Sequence, residues 1–455
     1  MATRRRWIKL CRVGLHDARV SCSMVGFAAA PREPPSMVKE TKFKRSGENN
    51  GSLGLGGSHS GRFYGSLATW GNGDLGRLGH GEECGNVEVP VFCSSLEGVS
   101  VHSVSSGGAH TLLLDGEGRV YAMGLNERGQ LGLGTDEEFV ATPTRVASLE
   151  GTRVRQVCAG RDHSAVLTRD GRVFAAGSNR KGKLGLGKGS PRSVSTFEPV
   201  SSLGGYEIDR IALGAMHMAC VSSQGEVFTW GASDYGVLGH GMVKRFIFIS
   251  SKDEWTPRKV MHFEESSIRV ASISCGDTYT GCVDDSGGVH TWGQGSFWKL
   301  GHERDVDAWV PGRVAGLSYI KKLALGTTHS MALAHNGSVY VWGANQNGCL
   351  GTGRKGSSNL RVPQKLELDE DVVDISCGWK HSAAVTREGK LFTWGWGGSM
   401  GTSALYDSGG QLGHDNVFDY WEPTLCKPPA GGKGSTVADK VSCGFNHTSA
   451  IFSSV

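Results

Sequence analysis

Six histidines follow a glycine at a fixed distance, and they are the first residues whose type and spacing could do chemistry. Gly-x-x-His occurs at His110, His163, His217, His329, His381 and His447, with Tyr279 standing in the matching place of one further segment. A ring of imidazoles suggests a metal, but ligands must converge to ~2 Å around one ion, and like positions of widely spaced segments stay apart. Buried imidazoles bonding backbone between strands are the expectation, and no metal site is. Gly177-Ser-Asn-Arg-Lys-Gly182-Lys183 imitates a phosphate loop, but Leu184 stands where the magnesium-binding Ser/Thr belongs and no helix pattern follows. Asn336-Gly337-Ser338 has the form of a glycosylation acceptor, yet it falls in a hairpin turn behind no secretory signal. No Ser/His/Asp set or carboxylate pair stands out, so neither catalysis nor a cofactor is expected. Lys181, Lys183, Lys188 and Arg192 form a short basic strip that would suit phosphate or an acidic protein, although a solvated loop is the ordinary role of such a strip.

The elements that must position these residues come from a repeat. Thr69-Trp70-Gly71 recurs at Thr229-Trp230-Gly231, Thr291-Trp292-Gly293, Val341-Trp342-Gly343 and Thr393-Trp394-Gly395, with weaker copies at Ala122-Met123-Gly124 and Ala175-Ala176-Gly177. The seven glycines are 53, 53, 54, 62, 50 and 52 residues apart. Leu-Gly, often Leu-Gly-His, follows each. Short apolar runs flank turns such as Asp115-Gly116-Glu117-Gly118 and His335-Asn336-Gly337, which predicts hairpins with both turn residues at positive φ. Units of about 50 residues made of strands predict an all-β, seven-bladed propeller. Few residues follow His447, so the last blade lacks its outer strand, and Leu67–Trp70 is predicted to complete it and close the ring.

Composition agrees. Glycine supplies 69 of 455 residues, about twice the usual ~7%, while 12 Trp and 16 Phe can fill a core. The length alone would suggest about three domains at roughly 150 residues each, which the repeat overturns. The net charge of +4 conceals an asymmetry: residues 1–60 hold eleven Lys/Arg and four Asp/Glu, a net +7, leaving −3 for the rest. Attraction of the whole surface to nucleic acid is excluded, and contact with nucleic acid or chromatin is expected only indirectly or through a local basic strip. No apolar run approaches the ~18 residues of a membrane span. The twelve cysteines contain no C-x-x-C pair. Cys158, Cys275, Cys377 and Cys443 each precede a glycine or Ala-Gly and read as small buried side chains in a reducing compartment. Residues 1–60 read as a basic leader and flexible linker ahead of a propeller over 61–455. Arg4, Arg5, Arg6, Lys9, Arg12 and Arg19 against the single acid Asp17 resemble a mitochondrial or plastid transit peptide. Mitochondrial residence is therefore expected, with nucleus or cytoplasm as the alternative.

Trp-Gly-x-x-x-x-Gly-x-Leu-Gly-His-Gly, a following proline, Gly-x-x-His and Gly-x-Val together resemble the regulator of chromosome condensation repeat across residues 61–455. The resemblance implies a seven-bladed propeller without fixing one activity. Its best-known activity is guanine-nucleotide exchange on a small GTPase, which uses loop acids and a wedge inserted in one blade. Asp162, before His163, matches the loop acid, and Asp277 matches more weakly; Asp162 would compete for Mg²⁺ or a partner's Arg/Lys. The third copy, Gly177–Gly187, has standard length and shows no wedge. The family also includes an ultraviolet-B photoreceptor built on clustered Gly-Trp-Arg-His-Thr motifs. Here Gly378-Trp379-Lys380-His381-Ser382 is similar, with Trp396 nearby, while the segments at Asp277 and Thr327 carry no tryptophan. Two insertions distinguish the chain: Lys244–Ile249 in the 62-residue fourth copy, read as a partner-contacting loop or an extra edge strand, and the Gly/Ser-rich Gly398–Gly410 in the seventh. The leading reading is a non-catalytic protein-interaction scaffold supporting organellar nucleic-acid processing or assembly. Exchange on a small GTPase is the alternative and ultraviolet-B signalling the second.

Overall fold

The computed structural model describes residues 65–454 except 83, 246–247, 251, 354–357, 399–408 and 432–434. The basic leader and most of the seventh-copy insertion lie outside the described residues.

Seven four-stranded antiparallel sheets follow one another. Blade 1 begins at Val101–Ser106, blade 2 at Val154–Ala159, blade 3 at Ile208–Leu213, blade 4 at Val270–Cys275, blade 5 at Ile320–Leu325, blade 6 at Val372–Cys377 and blade 7 at Thr436–Cys443. In blades 1–6 the strands run outward in chain order. Blade 7 differs. Its two inner strands, Thr436–Cys443 and His447–Ser454, come from the C-terminal end, and its two outer strands, Ser66–Gly71 and Val87–Phe92, from the N-terminal side. The strand at Leu67–Trp70 closes the ring as expected, pairing Gly71 with His447 and Leu67 with Ile451. It brings a second strand with it, so closure divides the sheet two and two. The sequence of Val87–Phe92 alternates and contains Pro90, which suits an outer edge.

The in-register glycines are a backbone requirement. All seven, from Gly71 to Gly395, have φ between +103° and +110°, a region only glycine enters without strain. The residue before each packs between sheets: Trp70, Trp230, Trp292, Trp342 and Trp394 are all fully buried. Strong and weak copies also differ for a reason. Where the phrase is Thr-Trp-Gly, the threonine hydroxyl reaches the histidine of Leu-Gly-His: Thr69 to His80 at 2.9 Å, Thr229 to His240 at 3.1 Å, Thr291 to His302 at 2.8 Å and Thr393 to His414 at 3.0 Å. Copies with Ala122, Ala175 or Val341 in place of the threonine have Leu133, Leu186 or Thr352 in place of the histidine. Hydroxyl and imidazole come as a pair.

The hairpin turns depart from expectation. Only the last glycine of each has positive φ, as at Gly118 (+87°) and Gly337 (+84°), while Asn336 and Gly116 do not. A longer loop ending in one left-handed residue replaces the two-residue turn. Asp115 holds it open by accepting the amides of Glu117 and Arg119 at 3.0 and 2.9 Å.

Trp70 tests the closure. It is fully buried in blade 7, and its indole donates to the Gln411 carbonyl at 3.0 Å. Trp70→Ala removes a large core side chain and should cost about 3–5 kcal/mol, seen as a lower urea midpoint. Trp70→Phe should recover most of that loss.

Candidate functional site

Each of the six Gly-x-x-His loops, and the matching Gly276–Tyr279 loop, joins the innermost strand of a blade to the next, and all seven crowd one end of the central channel. Equivalent loops touch through their glycines: a Cβ on Gly107 would meet the Gly160 carbonyl, one on Gly214 the Gly276 carbonyl, and one on Gly444 the Gly107 carbonyl, each within 2.8 Å. The same Cβ would strike the ring of its own loop's histidine, at 2.3 Å for Gly214 and Gly378. The motif's glycine is thus fixed by crowding from two sides.

The histidines reach across the seams to side chains, a correction to the expected backbone bonding. In five of the six, the imidazole Nε2 contacts the hydroxyl that follows the matching residue of the next blade: His110 to Ser164 at 2.9 Å, His217 to Thr280 at 2.9 Å, His329 to Ser382 at 2.8 Å, His381 to Thr448 at 3.0 Å and His447 to Thr111 at 3.0 Å; His163 faces Met218 instead. Tyr279 does the same with Ser330 at 2.9 Å. Those hydroxyls donate their single proton to carbonyls, such as Ser164 to Gln130 and Thr448 to Gln411. They therefore accept from Nε2–H, which fixes the tautomer. Among the described residues no group of His, Cys, Asp or Glu is arranged to hold a metal.

The residue after each loop glycine lines the channel mouth: Gly108, Arg161, Ala215, Asp277, Thr327, Trp379 and Phe445. Their identities make the mouth asymmetric. Trp379 stacks on Phe445, with ring centroids 4.4 Å apart and planes at 13°, and meets the edge of Trp396 at 5.3 Å. The Lys380 ammonium lies 4.6 Å from the Trp379 ring and 5.3 Å from Trp396, and the Arg161 guanidinium 5.9 Å from Phe445. A cation therefore sits at each end of an aromatic pair. Glycine at 108, between Phe445 and Arg161 in ring order, leaves them room to approach. Asp277 stands in the other half between small neighbours, its carboxyl pushed up by burial despite Arg161 and Lys299. Sequence reasoning singled out Trp379, Lys380 and Trp396, and the structure brings them together. It missed Phe445 and Arg161, although both occupy Trp379's repeat position.

Asp162 is not held free for a partner. Its carboxylate pairs with the Lys183 ammonium and lies 3.8 Å from His163 Nδ1. Burial works against its charge, but His163 and the ammonium hold it well below the usual carboxylate range. Lys183 is fully buried, which corrects its place in a solvated strip. It occupies the variable position of Gly-x-Leu-Gly, whose other occupants are Arg77, Gln130, Val237, Lys299, Cys349 and Gln411. A position that accepts Val and Cys is an interior one, and that was the available signal. Lys299 is buried there too, bonded to Thr278 and Gln294, and burial lowers its ammonium to about 8. Lys181 does reach the surface, pairing with Asp234 at 2.7 Å, and Lys188 and Arg192 are exposed. The four cysteines are buried or half-buried free thiols, with Cys158 and Cys443 pushed up to about 12 by burial.

The fourth-copy insertion emerges at this end, because Gly231 pairs with both His217 and Glu254. It forms a two-stranded hairpin, Val243–Arg245 with Phe248–Ser250, separate from blade 3. It is neither a plain loop nor an added edge strand.

Residues 66–450 match the RCC1-like domain. The chain belongs to that family. Similar proteins include the ultraviolet-B receptor UVR8 of Arabidopsis thaliana, 32% identical over 75% of this chain and 76% of UVR8. Human protein RCC2 is 30% identical over 66% of this chain and 59% of RCC2. The human E3 ubiquitin-protein ligase HERC2 is 31% identical over 87% of this chain, a stretch that makes up only 8% of HERC2. Among solved structures, Prp20p of Saccharomyces cerevisiae superposes with a TM-score of 0.74 at 24% identity, covering 86% of this chain and 92% of that one. Human WBSCR16 gives 0.71 at 25%, covering 86% and 99%. The RCC1-like propeller carries the channel mouth just described.

The histidine ring makes the fold acid-sensitive. Burial lowers His110, His217 and His381 to about 3, His163 and His329 to about 4, and His447 well below 6.5. Protonation would place a proton on Nδ1, which has no acceptor at His110, His329, His381 or His447. The unfolded chain takes these protons near 6.5, so the stabilisation is present above that pH and lost as pH falls toward the folded values. Each histidine contributes a slope of up to about 1.4 kcal/mol per pH unit. Urea midpoints should be flat from pH 8 to 7 and fall steeply from pH 6 to 5.

Proposed function

We propose that this protein is a non-catalytic interaction scaffold that engages a protein partner through the channel mouth, and that its basic leader directs it to mitochondria, where it supports nucleic-acid processing or assembly. The mouth array carries the reading. Trp379, Phe445, Lys380 and Arg161 are only half-buried, and they gather aromatic area and charge on the one surface where equivalent repeat positions differ most. Aromatic and Arg side chains dominate the energetics of protein interfaces. Trp379→Ala and Arg161→Glu should each weaken capture of a specific partner from mitochondrial extract at least tenfold, while the half-buried Arg161→Glu change leaves the far-ultraviolet circular dichroism spectrum unchanged. Capture that is equal with wild type and both variants rejects the mouth as the contact. A reporter fused to residues 1–60 that fails to enter mitochondria rejects the localisation.

Exchange on a small GTPase is the second reading, favoured by the hairpin at the mouth end of blade 3. Prp20p is described as binding Gsp1p and histones. An exchanger works by binding the nucleotide-free GTPase better than the loaded one, and a hairpin separate from the blade sheets is suited to that wedge-like role. Nucleotide release from a GTPase panel should be unchanged by this protein under the scaffold reading. Acceleration that is lost on deleting residues 243–250 would establish exchange.

The relation to UVR8 invites a light test. Of the seven mouth positions only 379 carries tryptophan, and among the described residues its indole meets the ring of Trp396 and of no further tryptophan. Ultraviolet-B irradiation should leave the elution volume unchanged on size exclusion; a shift to smaller species would favour photoreception.

A further inference from the structure

We propose that the seam between blades 2 and 3 is a hinge built into the ring, bonded at the far end of the channel and unlatched at the mouth. The other six seams are latched at the mouth by an imidazole or phenol on one blade and a hydroxyl on the next. At this seam the hydroxyl position is Met218, paired with Trp230 as Ser164 is with Ala176 and Thr280 with Trp292. His163 is fully buried and neither ring nitrogen has a hydrogen-bond partner. Met218 also cannot donate to the Lys183 carbonyl, the bond its counterparts give at Gln130, Val237 and Lys299. What does cross the seam near the mouth is the outer backbone bond common to other seams, from the Gly187 amide to the Trp255 carbonyl at 2.9 Å as from Gly241 to Trp309, with only weak contacts inside it: Lys183 Nζ lies 3.4 Å from the Ala215 carbonyl and 3.7 Å from Met216 Sδ, and the Lys181–Asp234 pair is exposed to water on both sides and contributes little.

The far end of the same seam is densely bonded. Arg155 reaches Asp209 at 2.9 Å and the Ile208 carbonyl at 2.6 Å. Gln156 donates to the Ile211 carbonyl at 2.8 Å and accepts the Ile211 amide at 3.1 Å. Fixed at one end and missing its inner latch at the other, the seam can loosen at the mouth by straining only the Gly187–Trp255 bond, without disturbing the sheets. Such parting moves Asp162 and Lys183 of blade 2 relative to the inserted hairpin of blade 3. A partner seated across both blades would hold the seam shut, whichever partner that is. The hinge rests on side-chain geometry alone and stands or falls separately from the proposed function.

Hydrogen exchange on the full chain tests it. The Gly187 amide, which crosses this seam to the Trp255 carbonyl, should exchange at least tenfold faster than the Gly353 amide, which makes the equivalent bond to the Trp421 carbonyl across the latched seam between blades 5 and 6. Restoring the hydroxyl in Met218→Thr should slow exchange of the Gly187 amide about tenfold relative to Met218→Val, the same shape without the hydroxyl, consistent with one hydrogen bond. Equal rates at the two seams in the unaltered protein overturn the proposal, whether or not the variants fold. Threonine and valine variants that exchange alike overturn it as well.

Discussion

Seven loop glycines crowded around one end of a channel impose the constraint from which the rest of this structure follows. Each lies so close to its own loop's histidine ring, or to Tyr279 for Gly276, and to the next loop's carbonyl that no side chain fits. The inner strands can therefore converge, and their imidazoles can cross the seams to hydroxyls on neighbouring blades. The result is a ring of side-chain bonds inside a ring of sheets. Burying these neutral imidazoles is tolerable because every Nε2–H except that of His163 finds a hydroxyl acceptor, as buried polar groups require, and it leaves the fold dependent on their staying unprotonated.

Because the ring needs only its glycines, histidines and hydroxyls, the residue between them is free to vary. That freedom is spent at the channel mouth. Arg161, Asp277, Trp379 and Phe445 stand at one repeat position, yet they supply a guanidinium, a carboxyl and two stacked aromatic rings. A scaffold that is nearly symmetric in its packing thus presents an asymmetric surface, with aromatic rings and cations over blades 6, 7 and 2 and a lone carboxyl over blade 4. The variable position of Gly-x-Leu-Gly shows the same division in the interior, where Lys183 and Lys299 are buried charges held by Asp162 in one case and by Thr278 and Gln294 in the other.

The repeat was legible in the sequence because it is local: Trp-Gly, Leu-Gly-His and Gly-x-x-His are each set by neighbours within a few residues or one strand away. The blade count, the in-register glycines and the closing strand at Leu67–Trp70 all follow from that periodicity. The site was legible only in part. Trp379, Lys380 and Trp396 lie within 18 residues of one another and were read together, whereas Phe445 and Arg161 reach the same place from blades 7 and 2. Lys183 was misread because a charged residue in a Gly- and Lys-rich stretch looks solvated until its repeat register is compared with Val237 and Cys349.

By itself, then, the amino-acid sequence determined the number of blades, the strand pattern and the residue types at each repeated position, since backbone conformation and hydrophobic alternation act over short distances. Tertiary structure alone decided which side chains meet across seams: His163 facing Met218, Asp162 taken by Lys183, Phe445 against Trp379, and the two-and-two division of blade 7. Those pairings join residues 54 or more positions apart in most cases, and ring closure, a property of the whole chain, is what sets their distances.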